Sequence, residues 1–434
     1  MPTPICLHNM PLARDNPAPA DSPDGLSQWY GRVRARTLEL CAPLAPEDTV
    51  VQSMPEASPT KWHLAHTSWF FERFVLGRGA AGAAPLHPEW HFLFNSYYQS
   101  AGPMHARDAR GLLTRPTFEE VCAYRARIDE AVLERLAQDI PETLAAALRL
   151  GLHHEQQHQE LMLTDLKHLF ACNPLQPVYT TGHGTPGRSV APLRFLPGRT
   201  GIVESGYGGT HFAYDNELPR HRELLHPHAI AHRPVSNGEY AEFIRAGGYR
   251  TALLWMSEGW ACVQREGWTR PLYWAEDLTS AFTLGGVRAL DPNAPVCHVS
   301  YFEADAFARW AGARLALEAE WEMLAEPLDP TDGQFADDGL FEPQADPHPQ
   351  QEGPRQLFGD VWEWTGSPYV GYPGFKPLPG ALGEYNGKFM CGQWVLRGGS
   401  CATPRGHVRA SYRNFFYPRD RWQFSGIRLA RDLP

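Results

Sequence analysis

Four stretches of this chain, 27–42, 58–76, 117–137 and 141–171, repeat apolar residues at three- and four-residue intervals, and past Ala171 that rhythm gives way. Apolar residues at this spacing line one face of a helix. Ser58-Pro59 supplies a plausible cap and first turn for the second stretch, and Pro141 opens the fourth just ahead of Glu142. Four helices of that length form a natural bundle, here with a long crossing between the second and the third. The segment Asn173–Arg199, rich in Pro, Gly and Thr, reads as a connector. Residues 195–434 hold short apolar runs broken by Gly, Pro and Trp, with helical patterns at Ser236–Ala246, Tyr301–Ala311 and Glu318–Leu324. The expected fold class is α+β, with a helical bundle over 27–172 and a loop-rich domain over 195–434. Neither an internal repeat nor a low-complexity tract is present.

A length of 434 residues favours two domains, and 43% hydrophobic residues with 12% aromatics are ample for two cores. The formal charge of -10 argues against nucleic acid or an anionic membrane as the main partner. The first ~25 residues, rich in Pro, Ala and Asp, read as a frayed tail. They lack the basic start and apolar stretch of a secretory signal. No run is long enough to span a bilayer. The eight cysteines are scattered without a CxxC pair, which fits reduced thiols in a cytoplasmic protein better than a disulfide framework or a structural zinc knot. A homo-oligomer is left open.

The sharpest chemical signal is HHEQQHQE, residues 153–160. A helix advances about 100° per residue, so His154 and His158, four apart, stack on one face and can chelate one ion. A third ligand must come from elsewhere, and WHLAHTSWFFE (62–72) places His66 in an apolar setting that faces it into the bundle, where its ring needs a partner. Two histidines at this spacing on a solvated helix can also be inert. Because Glu155 follows His154, the run formally matches HExxH, so the pattern alone does not separate a zinc protease from an iron enzyme.

Both halves resemble known families. The two histidine motifs are similar to the DinB-like metal-binding bundle. The second half resembles the formylglycine-generating-enzyme domain, a C-type-lectin-like fold, through Asp215–Pro219, Pro234–Tyr240, Arg314–Glu322, Gly359–Thr365, Val395–Ser400 and Gly426–Leu429. Together the chain resembles the ergothioneine-biosynthesis sulfoxide synthases, the EgtB family. That resemblance implies His66, His154 and His158 as ligands of Fe(II), with O2 as co-substrate. It also implies a reaction joining a thiol to the imidazole of hercynine (N-α-trimethylhistidine) as a sulfoxide.

By the same resemblance, Asn414 and Gln157 hydrogen-bond the histidine betaine, and Phe415 and Phe416 flank it. Aromatic faces attract a trimethylammonium by roughly 0.5–2 kcal/mol, although simple core packing is the better explanation of the two phenylalanines taken alone. Family members that take γ-glutamylcysteine carry Trp-Asp where this chain has Phe415 and Phe416, so free cysteine is the expected thiol. The branch that prefers cysteine has paired tyrosines, matched by Tyr97 and Tyr98. Tyr97 rather than Tyr98 is the expected proton donor, steering against oxidation of the thiol to a sulfinate. Arg107 and Arg110, just beyond, are candidates for the thiol's carboxylate.

Other readings compete. Ovothiol-type coupling of cysteine to histidine is one, although no strand–turn–helix unit for a methyltransferase is present. Formylglycine generation needs a late cysteine pair that Ser411–Phe416 lacks, and Cys391 and Cys401 do not reproduce it. A zinc-dependent thiol transferase leaves the second domain without a purpose, and from another class the lectin-like half allows a carbohydrate-binding or assembly protein with a relic metal site.

Overall fold

The computed structural model describes residues 23–77, 84–182 and 190–434. The tail expected to fray lies almost wholly outside these residues, as does part of the connector. The chain forms two compact units, Met1–Met162 and Leu163–Pro434. As expected, the fold is α+β.

The first unit is built on α1 (Pro23–Cys41), α2 (Thr60–Phe70), α3 (Pro88–Phe94), α4 (Phe118–Leu136) and α5 (Glu142–Cys172), whose last turns belong to the second unit. The four expected helices are present. The second starts later than Ser58, because the Ser58 hydroxyl accepts a bond from Arg110 Nη1 (2.9 Å) instead of capping, and extended Pro59 precedes the helix. It continues beyond Phe70 through a π-helical turn, Phe71–Val75. Thr117 and Glu120 close a reciprocal cap on α4. The apolar stripes meet as predicted by the periodicity: Leu26, Tyr30 and Val33 of α1, Tyr124, Ile128 and Val132 of α4, and Leu148 and Leu152 of α5 share one core with Phe71. Each such side chain contributes roughly 1.5–3 kcal/mol on burial.

Within the long crossing, α3 has too few residues, seven, to establish a periodicity in the sequence. It is tied to α2 by bonds from the Trp62 indole to Leu93 O (3.1 Å) and from the Trp69 indole to His91 Nδ1 (3.2 Å).

In the second unit, β1 (Phe195–Pro197), β4 (His228–Ala231), β12 (Leu429–Asp432) and β7 (Arg314–Leu315) form an antiparallel sheet in the order β1-β4-β12-β7. A second sheet runs β10 (Asn414–Phe416), β9 (Trp394–Arg397), β8 (Trp362–Pro368) and β11 (Ser425–Ile427), with β11 parallel to β8. Two hairpins, β2 (Gly201–Ser205) with β3 (His221–Leu225) and β5 (Ser280–Thr283) with β6 (Gly286–Ala289), complete the strands among the described residues.

The expected helices appear as α6 (Asn237–Arg245), α8 (Tyr301–Trp310) and α9 (Glu318–Ala325), the first two opened by Ser236/Glu239 and Ser300/Glu303 capping boxes. An additional helix, α7 (Ser257–Glu266), has too slight an apolar face to stand out in the sequence, since it buries little beyond Gly259, Cys262 and Val263. Buried ion pairs cross-link this unit: Arg397 with Glu318 and Glu322 (each 3.0 Å), and Arg428 with Glu363 (2.7 Å). All described cysteines are free thiols. No helix among the described residues is long and apolar enough to cross a membrane.

Candidate metal centre

Helices α2 and α5 approach closely enough to bring three imidazoles together because Gly151 removes a side chain from the contact. A Cβ there would lie 2.7 Å from the Phe71 ring and 2.9 Å from the Phe70 ring, both fully buried. One turn further along α5, His154 meets His66 of α2: their Nε2 atoms are 3.2 Å apart. His158 completes the group, and one ring nitrogen from each of the three lies within 4.8 Å of the others. The ring centroids form a nearly equilateral triangle, with sides of 4.9, 4.8 and 4.6 Å.

The electrostatics suit a cation. Burial, reinforced by the neighbouring histidines, holds His66 and His158 well below the ordinary histidine value. Burial likewise brings His154 down to about 3. All three are therefore neutral nitrogen donors at physiological pH, the state a metal requires. His66 is also oriented. Phe94 O, one of the carbonyls left without an intrahelical partner at the end of α3, accepts its Nδ1–H at 2.6 Å, which leaves the Nε2 lone pair directed at His154. Stacked against the His66 ring (4.6 Å, 11°) is Trp62, and the Arg110 guanidinium covers the far face of Trp62 at 3.4 Å. Three imidazoles of this kind fit a divalent first-row transition ion.

Glu155 takes no part in this cluster. It is fully buried, with Oε1 accepting from Arg125 (2.5 Å) and Thr37 (2.6 Å) and Oε2 from Arg34 (2.8 Å). Burial alone would raise its pKa, but the two guanidiniums outweigh that and hold it at about 2. A carboxylate so engaged cannot serve as the general base of an HExxH protease, and the zinc-protease alternative fails on this geometry.

The other expected site residues fall into two groups. Tyr97, in a left-handed conformation (φ 69°), is half-buried, and its hydroxyl accepts from Arg107 Nη1 at 2.6 Å. Tyr98 is buried among Trp69, Phe70 and Phe74. Arg110 is buried and bonded to Ser58 and Ser96. Gln157 is half-buried on α5. Asn414, Phe415 and Phe416 form β10 of the second unit. There Phe415 stacks on Tyr369 (4.0 Å, 11°), and Phe416 meets Trp422 edge-on (6.2 Å). His63, which shares the WHLAH stretch with His66 but is not expected as a ligand, has its Nδ1 2.7 Å from Nδ1 of His158. Its position three residues before His66, on the same helical face, was the available signal.

Comparison with known proteins places these features in a family. Residues 30–162 match the DinB superfamily, and residues 197–328 and 336–433 match the sulfatase-modifying factor enzyme 1-like domain. A hercynine oxygenase of Mycobacterium tuberculosis is 32% identical over 95% of this chain and 100% of that protein. One from Mycolicibacterium thermoresistibile is 34% identical over 87% of this chain and 88% of that protein. A formylglycine-generating enzyme of Streptomyces coelicolor is 30% identical over 47% of this chain and 77% of that protein. With relatives aligned along nearly their whole length through both domains, the chain belongs to the hercynine oxygenase family of oxidoreductases.

Proposed function

We propose that His66, His154 and His158 hold a ferrous ion and that the chain is an O2-dependent sulfoxide synthase. In this reading it joins the sulfur of cysteine to the imidazole of hercynine, giving hercynylcysteine sulfoxide in ergothioneine biosynthesis. The observation that carries the reading is the convergence of three buried neutral histidines in a chain whose full-length relatives are named hercynine oxygenases. Bound by these three imidazoles, a ferrous ion would supply O2 activation.

The chain's own residues recognise, orient and protonate. Gln157, between the two ligands of α5, hydrogen-bonds the histidine betaine. Arg110, one aromatic ring from His66, supports the carboxylate of cysteine, with Arg107 beside it. Tyr97 delivers a proton from its hydroxyl during O2 reduction. Two features support that role: the donation from Arg107 leaves the phenol O–H as a donor, and left-handed backbone is costly for a tyrosine and concentrates at functional positions. Cysteine is the thiol because Phe415 and Phe416 offer no acid to pair the additional ammonium of γ-glutamylcysteine, and an unpaired buried ammonium costs several kcal/mol. In this reading the reaction takes place in the cytoplasm, a compartment that the free thiols of the described cysteines suit.

Mass spectrometry of aerobic incubations with Fe(II), hercynine and cysteine tests the proposal. Hercynylcysteine sulfoxide is the expected product, formed with stoichiometric iron; its absence with iron bound would remove the assignment.

A further inference from the structure

His63 bears on which nitrogen His158 turns towards the other two ligands. Both residues are buried, their rings meet at 61° with centroids 5.0 Å apart, and the two Nδ1 atoms are 2.7 Å apart. Two imidazole nitrogens that hydrogen-bond at that distance share one proton: one donates, and the other accepts through its lone pair. If His158 donates from Nδ1, its Nε2 carries a lone pair and can bind a metal. If His63 donates, Nε2 of His158 carries the hydrogen and cannot. His66 has no such choice, because the Phe94 carbonyl only accepts. One ligand is therefore set by a fixed acceptor, and another by a partner that can play either part.

We propose that His63 is a positioning residue of the metal centre, accepting the Nδ1–H of His158 in the metal-loaded protein and so presenting Nε2 of His158 as a ligand. A metal at Nε2 of His158 requires this tautomer pair, because that nitrogen must then carry a lone pair. The inference rests on the reading that His66, His154 and His158 bind a metal, and it adds a residue to that reading. It also makes metal affinity depend on a side chain that never touches the ion. Second partners of ligating histidines act in this way by fixing the tautomer and raising ligand basicity.

The test uses the full chain with 15N-labelled histidine, loaded with Zn(II) as a diamagnetic probe, and long-range 1H–15N correlation to read each tautomer. Protonated Nδ1 on His158 and unprotonated Nδ1 on His63 are expected. A proton on Nδ1 of His63, or the metal at Nδ1 of His158, would overturn the proposal. In parallel, His63→Phe should weaken Zn(II) and Fe(II) binding by about ten- to a hundred-fold. His63→Asn, whose amide oxygen can accept, should recover most of that loss. Unchanged affinity in His63→Phe also overturns the proposal. Should His63→Phe not fold, the tautomer measurement on the unmodified chain decides alone. The parent reading fails separately: if the unmodified chain takes up no metal, or if His66→Ala binds it equally well, the metal assignment falls and this proposal with it.

Discussion

The Nε2 atoms of His66 and His154, 88 residues apart in sequence, approach to 3.2 Å with both rings uncharged. Two such nitrogens turned towards each other are arranged to share a cation. His66→Ala and His154→Ala should each abolish stoichiometric iron while leaving the helical circular dichroism close to that of the parent. Elemental analysis of the purified variants provides the check, and full iron content in either would exclude that residue as a ligand.

Glu155 should matter for stability and acid resistance rather than for chemistry. Replacing it with Gln leaves Arg34 and Arg125 buried without their shared carboxylate, and breaking a buried pair in this way costs roughly 3–5 kcal/mol. Its pKa in the folded chain, about 2, lies below the ordinary 4.5. The stabilisation is therefore complete above the unfolded-state value and is lost as pH falls from about 4.5 towards 2. Urea titrations at neutral pH and at stepped acidic pH should show a lower midpoint for Glu155→Gln and a flatter acid dependence. Coincident curves for the two proteins would contradict the buried pairing.

The paired tyrosines should separate by function. Tyr97→Phe removes the hydroxyl held by Arg107 and should raise the share of cysteine sulfinate at the expense of coupled product. Tyr98→Phe keeps the ring that packs on Trp69 and Phe74 and should change the product ratio far less. Chromatographic quantification of both products measures the partition, and an unaltered ratio in Tyr97→Phe would withdraw its role as proton donor.

Thiol choice is open to direct comparison. Steady-state kinetics should give a higher kcat/KM for cysteine than for γ-glutamylcysteine. Phe416→Asp, which installs an acid beside Phe415, should narrow that gap; one charge-assisted bond gained is worth about 1.5–3 kcal/mol, or roughly ten- to a hundred-fold. A parent enzyme that prefers the dipeptide would refute the assignment of cysteine.

The sequence by itself determined four of the five α-helices described in the first unit, the α+β class and the stacking of His154 over His158. Each depends on spacing along one continuous helix or on the local grammar of caps and breakers. Motif order also carried the two-domain resemblance. The tertiary structure decided what rotation about the helix axis and contact between distant segments control. Glu155, one residue from a ligand, points into Arg34 and Arg125, 121 and 30 positions away. The carbonyl that orients His66 comes from α3, a helix too short to announce itself by periodicity. Of two adjacent tyrosines, one became core and the other took a left-handed backbone beside Arg107. Periodicity specifies which face a side chain shares with its neighbours on the same helix. The partner waiting on another element is set by how the helices pack, and one residue of rotation there separates a metal ligand from a buried ion pair.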